Sequence, residues 1–293
     1  MSTAIRVPVG SPVVPSGAIE EFARLQIADF SASAIASCET SVMAAAVHVD
    51  IDGHVMIVRL DDPAHHNAYD GATLHAVGDA WAQLDQNDDL RVGVLCGTGS
   101  DAFCTGADVE AVVNGGFSDP PYPELAEGIA HKPTIAAIEG MCLGGGMMLA
   151  AGCDLRIAGR SATFGLPEAR WNYPAQWLGA LARQLLPQHA MELAFIADER
   201  LSAHRLFEMG WLSAVVDDGD ALTESLRWAE RIGAQAPGAV QRFRELIRYG
   251  SWAAPVDALA LGHRQSVELM AMEDTAEAAK ARAERRPPNW TGR

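Results

Sequence analysis

Three consecutive glycines, Gly144-Gly145-Gly146, stand between an apolar run at 134–138 and an apolar stretch that continues to Ala151. Glycine lacks Cβ, so it adopts backbone angles closed to other residues and lets another segment approach its backbone closely. The flanking pattern is that of a strand, a glycine turn and a helix. The first amides of a helix have no partner inside it and point outward, so such a turn can receive an anion or a developing oxyanion. The competing reading is tight packing of the helix on a neighbouring strand.

The rest of the chain fits an α/β layered core. Val47, Val49 and Ile51 alternate with polar residues, Asp52-Gly53 supplies a hairpin turn, and 55–60 is the return strand. Leu74, Val77, Trp81 and Leu84 form one apolar helical stripe. Strands are expected at 91–96 and 154–158. After Leu178 the pattern is helical, at 178–186, 189–197, 202–209, 221–235, 238–248, 256–272 and 275–284, with one short strand at Val215-Val216. Three regions follow: an N-terminal extension at 1–45, a core carrying the site at 46–200, and a helical oligomerisation region at 201–293. Trp252, Leu259, Leu261 and Met270 in that last region are more apolar surface than one domain readily buries, which predicts a covering neighbour.

Charge removes several functions. The 293 residues carry 22 basic and 38 acidic side chains, a net −16, and Lys132 and Lys280 are the only lysines. A broad basic face for nucleic acid or an anionic membrane is not expected. Five scattered cysteines without a CxxC pair read as buried thiols of a reducing compartment, not as a disulfide framework or a zinc site. No apolar run approaches the ~18 residues of a membrane span. A cytoplasmic protein without metal is the expectation.

Two further segments carry chemistry. Residues 102–108, Ala-Phe-Cys-Thr-Gly-Ala-Asp, follow a strand and lead toward a helix, with Asp108 suited to the positive end of that helix. An ordinary glycine turn is the alternative. Residues 164–171, Phe-Gly-Leu-Pro-Glu-Ala-Arg-Trp, set Glu168 among apolar groups. Desolvation there raises a carboxyl pKa toward the range useful for proton transfer; an exposed Glu168 paired with Arg170 is the alternative. The GxGxxA match at 97–102 continues as loop and does not open a dinucleotide-binding helix.

The order FCTGAD, GMCLGGG, FGLPEARW, preceded by Asp62-Pro63 and Asn67-Ala68, resembles the crotonase superfamily of enoyl-CoA hydratases and isomerases, over about residues 46–290. The resemblance implies a crotonase-like spiral of ββα turns, then helices that mediate a homotrimer or a dimer of trimers. It implies an acyl-CoA substrate, coenzyme A entering as part of the substrate and no separate cofactor. It implies that the amides of Ala107 and Gly145 form the oxyanion hole, a donor of this kind lowering a barrier by ~3 kcal/mol. It implies that Glu168 is the catalytic acid/base.

Departures from the family pattern are as informative. Hydratases of the family use a second glutamate, whose place is taken here by Met148, and a lost acid/base group typically costs ~10²–10⁴ in rate. No Asp or Glu stands in 171–179. A single-carboxylate site resembles the isomerase branch, where one glutamate moves a proton between C2 and C4. The family's early basic residue falls on Ala64, followed by His65-His66; the lysine common after the GAD segment is Glu110; and 278–283 lacks the usual aromatic. CoA would then be held by backbone groups and by a neighbouring subunit's arginines, such as Arg282, Arg285 or Arg286. His65, His66, Asp108, Met148 and Trp171 are the candidate substrate-binding positions. The reading is an acyl-CoA double-bond isomerase or enoyl-CoA hydratase. The alternatives are a hydrolase or C–C bond-cleaving enzyme on a non-CoA carbonyl compound, and a catalytically weak acyl-CoA-binding scaffold.

Overall fold

The structure, a computed structural model, describes residues 46–108, 130–171, 175, 177–251 and 253–293. The expected extension at 1–45, Glu110 and Trp252 lie outside those residues. Ala44–Arg293 forms one compact unit.

Strands β1 (Val47–Asp52) and β2 (Val55–Leu60) make the expected hairpin, with Asp52 opposite Val55. The turn pair is therefore Gly53-His54, one residue later than the sequence suggests. Strands β3 (Val92–Gly97), β5 (Thr134–Ile138), β7 (Leu155–Gly159) and β10 (Ala214–Val216) continue from β2 in parallel, in the order β1-β2-β3-β5-β7-β10. The parallel strands are buried on both faces, which is why they read as unbroken apolar runs. Met56, Val58 and Leu60 point into one core, and Val55 and Ile57 into the other. Helix α1 (Gly71–Gln86) covers the first core through Leu74, Val77, Trp81 and Leu84, all buried as predicted. Asp70 caps it, accepting from Thr73 N at 2.8 Å.

A second sheet escapes sequence reading. It is built from β4 (Ala102–Cys104), β6 (Met141–Leu143), β8 (Thr163–Gly165) and β9 (Leu201–Ser202), in the order β4-β6-β8-β9. Strands this short show no periodicity, so Phe103-Cys104 reads as loop and is in fact strand. In three successive passes, β3/β4, β5/β6 and β7/β8, the chain crosses the long sheet and then the short one. This is the spiral the resemblance implies, and it sets the turns after β4, β6 and β8 side by side.

Helices α2 (Gly145–Gly152), α3 (Leu178–Leu181), α4 (Pro187–Phe195), α5 (Ala203–Glu208), α6 (Ala221–Gly233), α7 (Pro237–Gly250), α8 (Pro255–Ala271) and α9 (Glu273–Glu284) complete the described residues. All seven helices expected after 178 are present, the first shortened to α3. The change at residue 200 is one of sequence character more than of packing, because β9 and β10 join the two sheets and α6 packs on β3, β5 and β7. Among the described residues no helix is long and apolar enough to cross a membrane.

Helix α7 is tied to the core through one carboxylate. Asp154 accepts from Thr134 N at 2.9 Å, Arg244 Nε at 2.7 Å and Arg248 Nε at 2.9 Å. The side chains of Asp154 and Arg244 are only 19% and 9% exposed, so removing the carboxylate strands two guanidinium groups out of water. Asp154→Ala should destabilise the protein by about 3 kcal/mol, the lower range for breaking a buried pair. Denaturant unfolding measures it; a loss under 1 kcal/mol would show that the surrounding carbonyls alone hold α7.

Candidate active site

The two turns expected to carry the oxyanion hole are placed by backbone. After β4, Gly106 N donates to Cys104 Sγ at 3.4 Å, and burial pushes that thiol up to about 12, so it stays protonated and inert. Tyr69 N donates to Gly106 O at 2.9 Å, and Asp108 N donates to Tyr69 O at 2.8 Å. These two bonds make an isolated parallel bridge between Tyr69 and Ala107. In such a bridge the central residue takes no part in the ladder, so the Ala107 amide points away from Tyr69. Ala107 thus lies in extended backbone, one residue before the end of this described stretch. The helix expected beyond it falls on residues outside those described.

The three glycines have separate reasons. Gly144 has φ 52 and ψ −124, donates to Gly165 O at 2.9 Å, and turns the chain from β6 into α2. Gly145 is the first residue of α2, where an amide lacks a partner within the helix. Gly146 lies against β4, where a Cβ would come 2.1 Å from Cys104 O. Close packing holds at Gly146, while Gly145 keeps a helix-start amide without an intrahelical partner. The two turns touch: a Cβ on Gly106 would lie 3.0 Å from Gly145 N. The far end of α2 is fixed by Arg156, which donates to Cys153 O at 2.9 Å and Trp211 O at 2.7 Å and stacks 4.9 Å from the Trp211 ring centroid.

Glu168 reaches the same place from the short 3-10 turn Pro167–Trp171, which follows β8. A Cβ on Gly144 would lie 3.0 Å from Glu168 Oε1. Its Oε2 is buried and has no hydrogen-bond partner among the described residues. Burial pushes its pKa up, partly opposed by a backbone hydrogen bond. A carboxylate with one buried, unpartnered oxygen is a group ready to take a proton.

The other candidates separate. Met148 is 2% exposed, one turn into α2, in the apolar core. Asp108 is half-buried on the Tyr69 bridge. His65 is exposed and held by Asp62 at 2.8 Å, and exposed His66 contributes its carbonyl, which accepts from Thr105 N at 3.2 Å. Trp171 ends the turn that bears Glu168. Arg286 is committed to Glu277 and Glu284, whereas Arg282 and Arg285 are exposed. Glu139 accepts from Gly219 N and Ala221 N at 3.0 Å each and so caps α6. Among the described residues no His, Cys, Asp or Glu cluster could hold a metal.

Two residues matter more than their sequence context indicates. Asn67, 2% exposed with φ 53, accepts from Asp62 N at 2.9 Å and donates to Thr98 O and Ala102 O at 3.0 and 2.7 Å. It pins the early loop to the entry of β4. Tyr69, also 2% exposed, lies between the two turns. Only its position two residues past Asn67 could have drawn attention to it.

The chain matches the enoyl-CoA hydratase/isomerase family model over residues 50–293. It is 33% identical over 259 residues to the enoyl-CoA hydratase EchA19 of Mycobacterium tuberculosis, covering 84% of this chain and 96% of that one. It is 31% identical to the (E)-benzylidenesuccinyl-CoA hydratase of Thauera aromatica, covering 84% and 99%. A crystal structure of an enoyl-CoA hydratase from Mycobacterium tuberculosis superposes with a TM-score of 0.77 at 32% identity, covering 85% of this chain and 100% of that one. With three motif segments meeting at one site and the family model spanning the whole described core, this chain belongs to the enoyl-CoA hydratase/isomerase family of the crotonase superfamily.

Proposed function

We propose that the protein acts on an acyl-CoA thioester by stabilising its enolate, with Glu168 as the single proton carrier and double-bond isomerisation as the favoured reaction. The observation that carries this is the Glu168 carboxylate itself, buried, unpartnered at Oε2 and set against the glycine turn that begins α2. The amides of Ala107 and Gly145 would receive the thioester oxygen, and negative charge growing there is stabilised by donors already in place. Glu168 takes the proton from C2, the electrons pass into the dienolate, and the same carboxyl returns the proton to C4. A catalytically silent scaffold has no need of a buried carboxylate without a partner.

Hydration asks for more. Water must be held by one group while a proton reaches C2 from another, and Met148 supplies neither. The named relatives are hydratases, so the contrast is testable in one panel. Isomerisation of a Δ3-enoyl-CoA should exceed hydration of crotonyl-CoA, with hydration at least ~10²-fold slower than in a two-glutamate hydratase. Hydration at ordinary hydratase rates would remove the single-carrier reading, and turnover of a free β-diketone in its place would move the substrate away from CoA.

Glu168→Gln should abolish turnover while leaving stability and ligand affinity nearly unchanged, since shape and hydrogen bonding persist. The base works as carboxylate, and its pKa is raised, so the acid limb of kcat/KM should lie above the ordinary glutamate range. An acid limb at that ordinary range, or a fully active variant, would place the base elsewhere.

A homotrimer or dimer of trimers completes the proposal. Leu259 and Met270 on α8 are 75% and 73% exposed, Val256 on the same helix is exposed too, and Phe243 and Ile247 are exposed on α7. Leu261 is half-buried, against the expectation that it is exposed. Light scattering at micromolar concentration should give three or six copies; a monodisperse monomer would contradict it.

A further inference from the structure

We infer that Tyr69 is a positioning residue of the oxyanion hole: its backbone grips the segment that carries Ala107, its ring abuts Gly145, and it thereby fixes the separation of the two amide donors. The inference rests on the enolate reading above.

Three observations converge. Tyr69 N and O bond to the residues on either side of Ala107, Gly106 and Asp108, at 2.9 and 2.8 Å. This holds the Ala107 amide outward at a set angle. At the other end of the side chain, a Cβ on Gly145 would come 1.9 Å from Tyr69 Oη and 2.7 Å from its Cζ. The phenol tip therefore rests on the Cα of the residue that offers the second amide. Tyr69 is also 2% exposed within the main apolar core, with Phe103 and Met147 in the same cluster, so it cannot yield without moving its surroundings. One side chain is the spacer between two donors carried by different turns. Gly145 is glycine for this reason as well, because any side chain there displaces the tyrosine.

A spacer acts on geometry, and donors matter most where charge develops. Losing it should weaken binding of an enolate far more than binding of a neutral thioester. An Ångström of misplacement costs ~10²-fold in rate, so Tyr69→Leu should lower kcat by about that factor with KM nearly unchanged. Tyr69→Phe removes only Oη, the atom nearest Gly145, and keeps the ring and the backbone bonds. Its expected loss is about tenfold, between the wild type and Tyr69→Leu.

The direct test uses two CoA esters. Acetoacetyl-CoA ionises to an enolate that absorbs in the near ultraviolet, so the fraction bound as enolate across pH reads the strength of the hole. Butyryl-CoA reports ground-state binding. Each variant should show an enolate fraction reduced by the factors given for kcat, butyryl-CoA affinity close to wild type, and the wild-type acid limb of Glu168. A merely structural role would lower both affinities together, and that result overturns the inference. So does a wild-type enolate fraction in Tyr69→Phe, the variant least prone to misfold. If the wild type itself binds acetoacetyl-CoA without forming enolate, the proposed function falls first and this inference falls with it.

Discussion

The site depends on two backbone segments in direct contact at their glycines, with the Tyr69 ring seated against Gly145. Gly146 meets Cys104 O, and Gly106 meets Gly145 N, at separations a Cβ on either glycine would violate. That approach brings an extended segment and a helix start within reach of one small atom. Under the proposed function, hydrogen-bond donors fixed this way would need no reorganisation when charge appears. The surrounding fold serves to keep them there. Three passes through two sheets place the turns side by side, Asn67 ties the early loop to β4, and Arg156 anchors the far end of α2.

Charge is used sparingly and mostly for structure. Lys132, one of two lysines, is buried and donates to Leu84 O and Asn87 O at 2.9 and 2.7 Å, closing the end of α1. Burial lowers its pKa, against the nearby carboxylates of Asp85 and Asp88. Arg156 is so deeply set that burial lowers its pKa to about 10, and its guanidinium is matched by carbonyls and the Trp211 face. Arg244 and Arg248 share Asp154. Against this background Glu168 is unusual. It is a carboxyl with one oxygen buried and without a hydrogen-bond partner among the described residues, and desolvation is the largest influence on its proton affinity.

Much of this was legible in the sequence, for identifiable reasons. The α1 stripe repeats often enough for its period to show, and the buried parallel strands are unbroken apolar runs. The glycine run and the lone Glu168 stand out because few other roles suit them. What was hidden is non-local. Strands β4, β6 and β8 have three residues each and become visible only as neighbours. Ala107 is held in a bridge to Tyr69, a contact across 38 positions that no spacing rule encodes. His65 and His66 looked like pocket residues because histidine invites that reading, whereas their rings are exposed and one is held by Asp62.

The central claim, that one carboxyl carries the proton from C2 to C4, is tested most directly by following that proton. A Δ3-enoyl-CoA deuterated at C2 is turned over once in ordinary water, and the product is analysed for label at C4. Glu168 is shielded enough that return should compete with exchange, so a measurable share of product should carry deuterium at C4. Complete loss of the label to water, with none at C4 under single-turnover conditions, would contradict direct return of the proton by a shielded carboxyl.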